Sequence, residues 1–259
     1  MTQRDRRIFL INELLQERPQ YAKMKIPAQE QQQKNLLRAL FNIRMPIPAG
    51  RAFLEIQDAY LRQETARKGI TDLTDLKPVQ PGVYLWQGDI TTLKCDAIVN
   101  AANRQMLGCF YPCHGCIDNA IHTYAGVQLR AACAKIIQKQ GHEEQPGRAK
   151  ITDGFNLPCN YVLHTVGPVV RGRPTRNDRQ LLAGCYRSCL ELAAQNAIKS
   201  IAFCCISTGE FHFPNDQAAQ IAVQTVKAYK KQTHSEIEVI FNVFKTDDYN
   251  IYRNLLAAN

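Results

Sequence analysis

From residue 83 onward the chain alternates short apolar runs with longer stretches of helical period, and few folds accommodate that order. The runs at 83–86, 97–99, 161–166, 201–206 and 237–243 have strand length and strand composition. The run at 201–206 is apolar throughout, as a strand covered on both faces requires. Between the runs, helix-like stretches lie at about 118–139, 178–197 and 215–231. Strand and helix in alternation predict a layered α/β sheet with helices on both faces. In such sheets, ligands bind outside the carboxyl ends of the strands. Three of those ends lead into polar or glycine-bearing segments: Gly88-Asp89-Ile90, Asn100-Ala101-Ala102-Asn103 and Ser207-Thr208-Gly209-Glu210-Phe211. A ligand site is expected where they converge.

Residues 1–70 have a different pattern. Ile8, Ile11, Leu14 and Leu15 share one helical face, as do Leu36, Leu37, Leu40 and Phe41, then Phe53, Ile56, Tyr60 and Leu61. Pro46, Pro48 and Gly50 interrupt the series as helix breakers. Three amphipathic helices are predicted, which must bury their stripes against each other or against the rest of the chain. The segment Lys77-Pro78-Val79-Gln80-Pro81-Gly82 then forms a junction between a helical extension at 1–80 and an α/β domain at 81–259.

With 45% hydrophobic and 21% charged residues, the chain is neither disordered nor fibrous. No apolar run approaches the roughly 18 residues of a membrane helix, and the N-terminal segment has no secretory core, so a cytoplasmic protein is expected. Its ten cysteines should then be reduced. The net charge of +9 is spread over both parts and suits a polyanionic partner or a small phosphate ligand. It lacks an aromatic-interleaved basic patch, so nucleic acid is not the expected partner.

The sharpest local signal is Gly108-Cys109-Phe110-Tyr111-Pro112-Cys113-His114-Gly115-Cys116. Thiolates and imidazole are the preferred ligands of zinc, and the glycines and proline keep this stretch irregular enough to wrap an ion. In an extended segment alternate side chains share a side, so His114 and Cys116 face one point and Cys113 tends away from it. Cys109 returns to that point through the turn at Pro112. Three ligands leave an open, catalytic position, whereas a fourth from Cys113 closes the site and makes it structural. The bland reading is a cysteine-rich loop without metal.

The other candidates have weaker signals. Cys185 and Cys189 fall on one helix face, and Cys204 and Cys205 in an apolar strand, where cysteine packs as a small hydrophobe. His122 and His164 read as structural histidines. Ser207 to Phe211 can cradle a diphosphate with consecutive backbone N–H groups, Gly209 permitting close approach. Asp89 can accept from an exocyclic amine or cap a turn, and Asn103 can bond a sugar hydroxyl or cap a helix.

Taken together, Gly88-Asp89-Ile90-Thr91, Asp96-Ala97-Ile98-Val99-Asn100-Ala101-Ala102-Asn103, His164-Thr165-Val166-Gly167-Pro168 and Ser207-Thr208-Gly209-Glu210-Phe211-His212-Phe213-Pro214 resemble the macrodomains, ADP-ribose-binding proteins of three-layer α/β/α architecture with a mixed central sheet. The insert at 106–119 resembles that of the zinc-dependent bacterial members, which also carry a helical N-terminal extension. The resemblance implies a hydrolase that removes mono-ADP-ribose from a protein side chain. The implied substrate is a carboxylate ester on a lipoyl-carrier protein related to the glycine-cleavage H protein, modified by a sirtuin-class transferase. It implies Asp89 and Ile90 at the adenine, Asn103 near the distal ribose, and Ser207, Thr208, Gly209, Glu210 and Phe211 around the diphosphate and distal ribose. Cys109, His114 and Cys116 would hold Zn2+ and, with Asn103, form the catalytic set. The alternative within the family is a reader that binds ADP-ribose without cleaving it. The N-terminal helices complete the core, cover the pocket or dock the substrate protein, and their apolar stripes favour the first.

Overall fold

The computed structural model describes residues 1–257. Three helices come first: α1 (Gln3–Gln16), α2 (Glu30–Ile43) and α3 (Arg51–Lys68). Thr2 starts α1 with a capping box, its hydroxyl accepting from the Asp5 amide while the Asp5 carboxylate accepts from the Thr2 amide. The three stripes bury against one another. Leu10, Ile11, Leu14, Leu37, Leu40, Phe41, Phe53 and Leu61 belong to an apolar cluster separate from the main core.

The chain then forms β1 (Thr71–Asp72), β2 (Val83–Gln87), β3 (Leu93–Lys94) and β4 (Ala97–Ala101). Next come α4 (Ile117–Ala125), α5 (Val127–Gln140), β5 (Ala149–Asp153) and β6 (Tyr161–Thr165). It ends with α6 (Arg176–Gln195), β7 (Ser200–Phe203), α7 (Asn215–Thr233), β8 (Glu238–Val243) and α8 (Thr246–Ala257). Six strands form one sheet in the order β2-β8-β7-β4-β6-β5. Every pairing is parallel except β5 with β6, so the sheet is mixed. β1 and β3 form a separate parallel pair.

Side-chain alternation along β6 assigns the two faces. His164 points to α5, its Nε2 3.7 Å from the Cys133 thiol. Thr165 faces the other way, towards Cys185 of α6, whose thiol also donates to the Val166 carbonyl at 3.3 Å. Cys185 and Cys189 are fully buried there, as their helical spacing predicts.

Three expectations change. The stretch at 118–139 is two helices, not one. Gly126 lies between them at φ +95°, and a Cβ there would meet the Gln57 amide nitrogen at 2.6 Å. Gln57 of α3 also accepts from the Val127 amide at 2.9 Å, so α3 supplies a cap at the break. The strand at 201–206 ends at Phe203, and residues 204–206 begin a loop. β5 and α8 were not foreseen: β5 is an edge strand paired on one side only, and its burial is too partial to give an apolar run.

Replacing Gly126 with Ala forces a Cβ into left-handed backbone and into the Gln57 amide. Gly126→Ala should lower stability by about 1–3 kcal/mol, read as a lower urea midpoint. An unchanged midpoint would show that the break does not need glycine.

Candidate functional site

The parallel strands place the ends of β2, β8, β7 and β4 side by side on one edge. Three neighbouring spacings, about 14 Å, separate the first from the last. All three segments singled out in the sequence leave from this edge.

Beyond β4 the chain is irregular until Ile117. Met106 (φ 57°) plugs into the core, and Gly108 (φ +79°) passes so close to His122 that a Cβ would sit 2.7 Å from its ring. At the far side of the loop, Cys109 Sγ lies 3.6 Å from His114 Nδ1. The donor atoms of Cys109, His114 and Cys116 all lie within 4.8 Å of one another, a set able to hold a metal ion. Cys116 also caps α4, its sulfur accepting from the Asn119 amide at 3.4 Å. Burial, with a smaller contribution from neighbouring Cys109, pushes the Cys116 thiol up to about 12. A divalent cation reverses that bias, because it binds the thiolate. Cys113 adopts left-handed backbone (φ 56°) and turns its exposed thiol outward, to the Asn35 carbonyl at 3.3 Å.

The loop after β7 meets this group. Glu210 Oε1 lies 3.6 Å from His114 Nε2. Ser207 is left-handed (φ 66°), and its carbonyl accepts from the Phe213 amide at 2.9 Å, folding residues 207–213 into a tight arch. A Cβ on Gly209 would meet nothing within 4 Å, so open space lies against its backbone. Two buried oxygens here have no hydrogen-bond partner among the described residues, Ser207 Oγ and Asn103 Oδ1. Asn103 is held by its other end, Nδ2 donating to the Gly108 carbonyl at 3.0 Å.

At the end of β2, Asp89 caps a short turn (Ile90–Thr92), Oδ1 accepting from the Thr91 amide and hydroxyl. Its Oδ2 accepts from Lys68 of α3 at 2.8 Å, and the same ammonium lies 3.3 Å from the centre of the Tyr124 ring. Burial opposes the charge on Asp89, but the bonds from Lys68 and Thr91 prevail and hold its carboxyl below the usual range. Ile90 is buried beneath, and just past β8 Phe244 stands 74% exposed.

Comparison with known proteins decides what this edge belongs to. The macro domain family model matches residues 99–222. The chain is 57% identical to a protein-ADP-ribose hydrolase of Treponema medium over 99% of its own length and 100% of the relative's. It is 50% identical to a protein-ADP-ribose hydrolase of Staphylococcus aureus over 95% and 92% of the two chains. The chain belongs to the macrodomain family of protein-ADP-ribose hydrolases. Among solved structures, a Trypanosoma brucei macrodomain in complex with ADP-ribose superposes at TM-score 0.65 and 32% identity, over 85% of this chain and 94% of that one.

A second Cys/His group lies inside the macrodomain, between the sheet and α4–α5. His122, Cys133 and His164 are buried, with donor atoms within 4.8 Å, and they too can hold a metal ion. His164 is already engaged, however. The Asn100 amide donates to its Nδ1 at 3.2 Å, which leaves the Nε2 proton for the Thr152 hydroxyl at 2.9 Å. His122 was expected to be a satisfied structural residue, yet both its ring nitrogens lack a hydrogen-bond partner among the described residues, with Asp118 Oδ1 3.5 Å from Nε2. The sequence reading also missed Lys68, Phe244 and Asp118, and Arg38 of α2, which donates to the His114 carbonyl at 2.9 Å. Lys68 and Arg38 lie on helices whose polar faces look the same in sequence whether they meet solvent or a neighbouring loop.

This buried group makes the fold sensitive to acid. Burial pushes His164 down to about 3 and His122 well below its usual value, the latter assisted by His164 and Arg130. As pH falls through 6.5, the unfolded chain gains two protons that the fold refuses, so stability declines. The His164 share continues towards pH 3. Asp118, pushed up to about 6 by burial, acts in the opposite sense between about 3.8 and 6, but it is one group against two. The urea midpoint should therefore be lower at pH 5 than at pH 7, and an equal or higher midpoint would contradict this balance.

Proposed function

We propose that this macrodomain is a zinc-dependent hydrolase that removes mono-ADP-ribose from a modified protein side chain. The observation that carries this reading is the 3.6 Å approach of Glu210 to His114, which joins the metal-capable loop to the loop after β7. A metal held there would lie at the end of the ligand edge, where a bound ADP-ribose would present its distal ribose. The donor set suits zinc, and the loop group is preferred to the buried one because His114 Nδ1 faces Cys109 while Nε2 faces a carboxylate. In this reading residues 1–80 are the helical extension and 81–259 the macrodomain.

The chain's own groups have distinct tasks. Asp89, kept ionised by Lys68, accepts from the exocyclic amine of adenine, with Ile90 beneath the ring and Phe244 offering an aromatic face. The backbone N–H groups of Thr208, Gly209, Glu210 and Phe211, with Ser207 Oγ, take the diphosphate. Asn103, held through Nδ2, has Oδ1 free to accept from a ribose hydroxyl. Phe211 packs against the sugar. The Glu210 carboxylate, 3.6 Å from His114 Nε2, favours the tautomer with its proton there, which leaves Nδ1 for the metal. Cys109, His114 and Cys116 would hold the zinc, which would supply Lewis-acid polarisation of an oxygen at the scissile end. The favoured substrate is a lipoyl-carrier protein bearing ADP-ribose as a carboxylate ester, placed there by a sirtuin-class transferase.

The purified chain should hold about one zinc and release ADP-ribose from such a carrier. Cys116→Ala should lose zinc and lower the release rate at least 100-fold. Full turnover in metal-free Cys116→Ala would overturn the role of zinc. Tight ADP-ribose binding with no release from any modified carrier would instead mark a reader.

A further inference from the structure

The helix α2 presents two faces. Leu37, Leu40 and Phe41 are buried in the cluster of the N-terminal helices. Asn35, Arg38 and Asn42, spaced three and four residues apart, share another face, and all three touch the segment that carries the metal-capable side chains. Asn35 accepts from the Cys113 thiol through its backbone carbonyl. The Asn42 amide oxygen accepts from the Cys113 backbone N–H at 2.9 Å, while its nitrogen donates to the Thr123 hydroxyl at 2.9 Å. Arg38 lies between them. Its Nη2 donates to the His114 carbonyl at 2.9 Å, and Nε and Nη2 both donate to Asn119 Oδ1, at 3.2 and 2.8 Å.

Asn119 passes this hold on. It is fully buried, its side-chain nitrogen donates to the Tyr111 carbonyl at 3.0 Å, and its backbone amide donates to Cys116 Sγ. One guanidinium thus fixes the backbone of His114 directly, and it fixes Asn119, whose side chain bonds Tyr111 and whose backbone amide bonds the sulfur of Cys116. A planar fork suits two acceptors held at a set angle, which a flexible ammonium does not. Residues 109–116 form no helix or strand, so they have no regular ladder of their own to hold that geometry.

We infer that Arg38, on the N-terminal extension, is a positioning residue for the metal site, holding His114 and Cys116 in the arrangement that binds the ion. The inference rests on the zinc reading above. It gives the extension a task beyond burying its own apolar stripes: the site is completed by a helix from outside the segment that supplies the ligands.

The test uses the full chain and zinc alone. Zinc affinity is read by competition with a chromogenic chelator, with Cys116→Ala as the baseline for metal taken up elsewhere. Arg38→Met keeps the stem and removes the fork. It should weaken zinc binding about 10–100-fold and lower kcat, while the affinity of the metal-free protein for ADP-ribose stays unchanged. Arg38→Lys, with a point charge in place of the fork, should fall between Arg38→Met and wild type. Wild-type zinc affinity in folded Arg38→Met overturns the inference. If Arg38→Met does not fold, wild-type affinity in Arg38→Lys overturns it equally. A wild-type chain that takes up no more zinc than Cys116→Ala overturns the zinc reading itself, and the positioning role with it.

Discussion

The ligand edge depends on how the irregular segment between β4 and α4 is held. A strand end can leave its polar groups in water, but this segment folds back over the core and carries buried carbonyls and amides with it. Each needs a partner. Met106 anchors the segment by apolar burial, and Asn103 closes the turn after β4 onto Gly108. At the far side the partners come from α2, through the Arg38 fork and Asn42. The loop and the helix therefore form one structural unit, although about seventy residues separate them in sequence.

A second tie runs in the opposite direction. Arg130 of α5 is buried and donates to the Leu107 carbonyl at 2.7 Å and the Phe41 carbonyl at 3.0 Å, and also bonds the Arg44 carbonyl. These last two carbonyls belong to the end of α2, where helix carbonyls lack internal partners and carry partial negative charge. Burial lowers Arg130 to about 10, which still leaves it charged near neutral pH. The extension and the α/β layers are thus interlocked: α2 satisfies the metal-capable loop, and α5 satisfies the end of α2. A third contact, Lys68 to Asp89, brings α3 to the opposite end of the edge. The N-terminal helices reach both ends of the ligand edge while keeping an apolar cluster of their own.

Much of this was legible in sequence because apolar periodicity is a local signal. The five foreseen strands and the three N-terminal helices follow from it. The outward position of the Cys113 thiol has another cause than the alternation of an extended segment: its backbone is left-handed, and α2 offers the Asn35 carbonyl. What stayed hidden depends on partners distant in sequence. Arg38 and Asn42 look like ordinary solvated positions on an amphipathic helix, and only the fold shows that they face a loop. Gly126 sits inside a continuous helical pattern, and its break becomes visible once Gln57 is seen to approach. β5 has one partner and little buried surface, so its composition carries almost no strand signal. His122 and His164 were read singly as structural, and the fold joins them with Cys133 and Asp118 into one buried polar group.

The central claim is that a zinc ion sits in the loop with two sulfur ligands and one imidazole, leaving a place for an oxygen of water or ligand. X-ray absorption at the zinc edge of the loaded protein tests this most directly. The account predicts two sulfur neighbours near 2.3 Å and two nitrogen or oxygen neighbours near 2.0–2.1 Å. A shell of three sulfurs would bring Cys113 into the site and close it. A shell with one sulfur and two imidazoles would move the ion to the buried group at His122, Cys133 and His164. Either result would contradict the account.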